Sequence, residues 1–142
     1  MRGLFIKVAF GLLVIMSATA GSSATIMVVS TSSDTVGQSI VYNLRNQISR
    51  SSVYKVAYTR DDAGFVISVV TVPGVEGRTA AYSAVLTMPP LDKKGYDYYV
   101  TSVVGYCGSE ATERCASNIL SGFDGDMMEI IGEFSKLLKK PK

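Results

Sequence analysis

Two cysteines, Cys107 and Cys115, stand in the stretch YCGSEATERCASNI and are the only thiols in a 142-residue chain that has no histidine. Such a pair could be a disulfide, part of a metal site, a redox dithiol or a nucleophile with its partner. Zinc takes four ligands, usually from paired C-x-x-C or histidine motifs, and the chain has neither. A redox dithiol favours C-x-x-C at a helix start, whereas seven residues separate these two. A thiol nucleophile lacks the usual imidazole base. The remaining role is a structural disulfide, the expected state of an even pair in an exported protein.

The other chemical candidates are weaker. Without histidine, Ser-His-Asp and Cys-His mechanisms are excluded, which leaves lysine-assisted serine chemistry or paired carboxylates. SVYK matches S-x-x-K through Ser52 and Lys55, but it falls where a helix gives way to a strand, and no S-D-N or K-T-G accompanies it. FDGDMMEIIGE gathers Asp124, Asp126, Glu129 and Glu133, yet Met128 occupies the third acidic place of a calcium loop. A solvated helix face explains these acids. Glycine-rich phosphate loops are absent as well. The expectation is a protein with no catalytic residue, no metal and no cofactor.

Compartment is read from the amino terminus. MRGLFIKVAFGLLVIMSATA carries Arg2 and Lys7, an apolar run from Val8 to Met16, and small residues ending at Ala20. That is the layout of a secretory signal peptide over residues 1–20, with cleavage after Ala20 or Ala24. No cysteine lies near either point, so no lipid anchor is expected and the mature protein is predicted to be periplasmic or secreted. Of 14 Lys and Arg, Arg2 and Lys7 depart with the signal, leaving 12 basic residues against 12 acidic ones. A neutral domain has no global field with which to recruit nucleic acid. The closing KLLKKPK is locally basic: Lys136, Lys139 and Lys140 complement a helix carboxy terminus, and residues 139–142 form a tail available for peripheral contact with anionic lipid.

These residues must be carried by a fold. Residues 25–138, about 120 with their flanks, suffice for one domain and one core. Thr25–Ser32 is a buried strand, and Asp34 caps a helix whose Val36, Ile40, Leu44 and Ile48 make one apolar stripe. YKVAYT follows as a strand parallel to the first. Three β-rich runs, 63–73, 78–89 and 96–107, are separated by turn residues and form an antiparallel meander. In the last of these, strict alternation puts Tyr96, Tyr98, Val100, Ser102, Val104 and Tyr106 on one face, with Asp97, Tyr99, Thr101, Val103 and Cys107 on the other. A final helix, capped by Ser109, runs from Ala111 to Leu137, weakened at Gly122 and Gly125. The order β-α-β-β-β-β-α gives an α+β two-layer sandwich, a mixed five-stranded sheet with two helices on one face.

The segment TIMVVSTSSDTVGQSIVYNLRNQISRSSVYKVAYT, where Asp34 and Gly37 open a helix carrying Leu44 and Ile48, resembles the TolB amino-terminal domain family. It is similar too to small periplasmic domains of outer-membrane assembly and peptidoglycan-synthase accessory proteins. The resemblance covers Thr25 to Thr59. It implies a non-catalytic module that docks onto another envelope protein; the surfaces to consider, read from the residues themselves, are Tyr96, Tyr98 and Tyr99 on the fifth strand and the basic tail. Two other classes remain at this point, a histidine-free hydrolase and a small-ligand or lipid carrier with a cavity between sheet and helices.

Overall fold

A computed structural model describes residues 23–139; residues 1–20, the expected signal peptide, and Lys140 lie outside them. Five strands form one sheet: β1 (Ala24–Ser30), β2 (Tyr54–Ala57), β3 (Phe65–Pro73), β4 (Thr79–Met88) and β5 (Tyr98–Gly108). Their order across the sheet is β2-β1-β3-β4-β5, with β1 parallel to both β2 and β3, and β4 antiparallel to both of its neighbours. Helices α1 (Thr35–Arg50) and α2 (Thr112–Leu138) join them in the order β-α-β-β-β-β-α. The α+β class and mixed sheet expected from periodicity are found.

Both helices pack on one face. Val36, Ile40, Leu44 and Ile48 of α1 meet Ile26, Val28, Ile67 and Val69 in the same core cluster as Cys115, Ile119, Phe123 and Met127 of α2. The i, i+4 spacing of the first four puts them on one side of α1, and the alternation in β1 and β3 turns the matching residues inward. The start of α1 is set by Asp34, whose carboxylate accepts from the Gly37 N–H at 2.7 Å.

At the second helix one expectation is corrected and one question left open by the sequence is answered. Ser109 does not cap it: residues Ser109–Ala111 form a 3-10 turn, and α2 follows without a side-chain cap. Gly122 and Gly125 do not break it, for α2 continues through both. Gly122 faces β5, where an added Cβ would stand 2.7 Å from a Val103 methyl. A glycine there lets the helix lie close to the strand, and the packing gained outweighs the poor helix propensity.

The opposite face of the sheet is covered over only part of its width. The connection 58–64 brings Ala63 under β1, where it joins Ala57 and Val66 in a small second cluster with Met27 and Val29. Thr25 secures it, donating its hydroxyl to the Asp62 carbonyl at 2.6 Å and accepting from the Gly64 N–H at 2.9 Å. No element of the described residues lies over β3, β4 and β5 on that side.

Candidate protein-interaction surface

The expected face assignment of β5 fails in its first part. Leu86 pairs with Thr101 and Thr87 with Tyr99, so Val100 is an extra residue, a β-bulge. An extra residue exchanges the two faces for everything before it. Cys107, Gly105, Val103 and Thr101 lie opposite buried Ala80, Tyr82, Ala84 and Leu86, and so face the helices. Tyr106, Val104, Ser102 and, across the bulge, Tyr99 face outward. Tyr98 pairs with Met88 on the helix side, and Tyr96 precedes the strand altogether. The three tyrosines singled out in sequence therefore belong to three different surroundings. No local signal betrays the bulge, because Tyr98, Tyr99 and Val100 all suit a strand on either face.

The outward face is continuous and uncharged. Val70 and Val72 of β3 lie beside Ser83 and Ala81 of β4, which lie beside Val104 and Tyr106 of β5. Val72, Val104 and Tyr106 are 66%, 75% and 65% exposed. Its few polar groups are largely satisfied within it: Thr79 and Tyr106 share a hydroxyl hydrogen bond of 2.8 Å, and the Tyr99 hydroxyl donates to Ser102 at 3.2 Å. What the face offers is apolar area and aromatic rings.

The two sheet edges differ. β2 has four residues and carries Lys55, features that protect an edge against pairing. β5 has eleven, YYVTSVVGYCG, without a charge. Pairing with β4 uses one side of its backbone; the remaining N–H and C=O groups point away from the sheet.

At its end β5 is fixed rigidly. Cys107 and Cys115 form a disulfide with a Cα–Cα separation of 6.2 Å, within the usual range. It ties the strand to the first turns of α2, while the Ser109 N–H donates to the Arg78 carbonyl at 2.8 Å. Gly105 lies against Tyr82, whose ring would collide with any side chain there.

The other candidate residues do not converge. Ser52 lies in the bend after α1 and Lys55 on β2, exposed, so they share no helical turn. Asp124 accepts a short hydrogen bond from Tyr54, whose hydroxyl is pushed well above the ordinary tyrosine range by burial and then by this carboxylate. Glu133 pairs with Lys136 on the exposed side of α2. Lys139 follows the end of α2. Among the described residues no three of His, Cys, Asp and Glu gather as metal ligands, and no helix is long and apolar enough to cross a membrane.

No protein-family model matches the chain, and no curated protein matches it. Among solved structures it is similar to a PelC variant from Paraburkholderia phytofirmans, determined as a dodecamer, with 16% identity over 72% of this chain and 91% of that one, at a TM-score of 0.42. It is similar also to TolB from Acinetobacter baumannii, with 8% identity and a TM-score of 0.45. That match covers 74% of this chain and 30% of TolB. TolB, whose amino-terminal domain the segment 25–59 resembles, is thus among its structural neighbours. These are distant likenesses of fold, and no activity or partner follows from them.

Proposed function

We propose that the protein is a non-catalytic accessory module of the cell envelope that binds an extended segment of another protein along β5, with side chains of that segment lying on the uncovered sheet face. The observation that carries this reading is the contrast between edges: β2 is short and charged, β5 long, uncharged and open. An added strand would take up the free backbone groups, and alternate side chains would rest on Tyr99, Val104 and Tyr106. Such binding needs a strand that holds its shape, which the disulfide and the β4 pairing supply. The envelope setting is supported by the signal-like segment 1–20 and by a cysteine pair that belongs in an oxidising compartment. Lys136, Lys139 and Lys140 would add a peripheral contact with anionic lipid.

The test is capture of partners from native envelope extract after mild crosslinking, comparing the wild type with Val104→Lys. A lysine on the outward face of an edge strand opposes pairing without disturbing the core. A specific protein recovered with the wild type and lost with the variant supports the reading. Recovery of the same protein by both, or of none, counts against it.

A further inference from the structure

A second feature lies at the opposite end of α2. A solvent-open cavity of about 290 Å³ lies between the last turns of that helix and the beginnings of β1 and β3, bordered by the segment that follows β4. Phe65, Met88, Ile131 and Phe134 line it, and Leu91 and Leu138, both largely exposed, border it. Two of the three hydroxyls that line it are already engaged, Thr25 with Asp62 and Gly64 and Ser135 with the Ile131 carbonyl at 2.9 Å; the third belongs to Ser23. A sugar or nucleotide would find few partners there. The volume lies at the lower limit for drug-sized ligands, roughly 300 Å³, and an α-helix about 10 Å across would not enter.

Among the described residues, one charged side chain lines the cavity, Lys93. It occupies a left-handed turn, with φ 57°, closed by its own N–H on the Pro90 carbonyl at 2.9 Å. Its ammonium donates to the Ala63 carbonyl at 2.8 Å, which leaves two of its three donors free. The nearby carboxylates are turned to other partners: Asp62 accepts from Thr59, Asp92 from the Lys94 N–H, and Asp97 pairs with Arg60. We infer that this cavity binds a medium-chain fatty acid, its alkyl chain within the apolar walls and its carboxylate on Lys93. The site is separate from the β5 surface and does not depend on that reading.

Equilibrium binding of decanoate, dodecanoate and tetradecanoate to the purified protein tests the inference, with dodecanol and dodecyltrimethylammonium as head-group controls. Each added methylene that still finds room is expected to tighten binding roughly fourfold. Lys93→Met is expected to weaken dodecanoate about tenfold and to leave dodecanol unchanged. Ile131→Trp, which fills the cavity, should abolish both, with thermal melting as the check that it folds. Affinity that ignores chain length, equal binding of the cationic amphiphile, dodecanoate binding unmoved by Lys93→Met, or no binding at all would overturn it.

Discussion

Asp34 shows how much one side chain can organise. Its carboxylate caps α1 through the Gly37 N–H and accepts a short hydrogen bond from Thr71 on β3, so one residue fixes both the start of the helix and its seat on the sheet. Burial pushes the Asp34 carboxyl up, but hydrogen bonds from Thr71, Gly37 and Val36 outweigh it and hold the group below its ordinary 3.8. A carboxyl held low in the folded state contributes stability that is present above the unfolded value and is lost as pH falls through the folded one. Acidification below about pH 4 is therefore expected to weaken the fold, and Asp34→Asn should flatten that limb of a pH series of thermal melts. At neutral pH Asp34→Ala should cost about 1 kcal/mol, a fall in Tm of about 4 °C. The cap was legible in STSSD. Thr71 was not, because it arrives from β3, far along the chain, and only the parallel pairing of β1 with β3 brings it near.

At the scale of elements, the strand–helix–strand start was readable because each segment keeps one period and is bounded by capping or turn residues. The end of the chain was read less well. The glycines of α2 lower helix propensity, which is a local quantity, while continuity of the helix is decided by its contact with Val103. The two glycines are predicted to respond in opposite ways. Gly125 has open space around it, so Gly125→Ala should stabilise the protein by about 1 kcal/mol in urea melts. Gly122→Leu should destabilise by about 1–3 kcal/mol, since its side chain must displace Val103. Cys107 and Cys115 close a short loop, and replacing both by serine should cost about 2 kcal/mol in the chain-entropy account. That loss would fall on the junction of β5 with α2, and hydrogen exchange should show β5 loosening before β1.

At the scale of the molecule, the described residues form a sheet with one side closed by helices and the other left open over three strands. Which strands stay bare could not be read from alternation alone: it depends on the connection 58–64 crossing β1 and on the bulge at Val100, and both are settled by tertiary pairing. The exposed apolar face is larger than the isolated surface residues that need no explanation, and contiguous patches of that kind mark binding sites. Since Val104 is largely exposed, Val104→Lys should leave stability within about 0.5 kcal/mol of wild type while removing partner capture. The measurement that tests the central claim most directly is site-specific photo-crosslinking in cells, with the photoreactive group placed in turn at Val104 and Val70 on the open face, and at Ser121 and Glu129 on the solvent side of α2. The account predicts a discrete protein adduct from the first two positions and none from the second two. Adducts from the helix positions alone, or from no position, would contradict it.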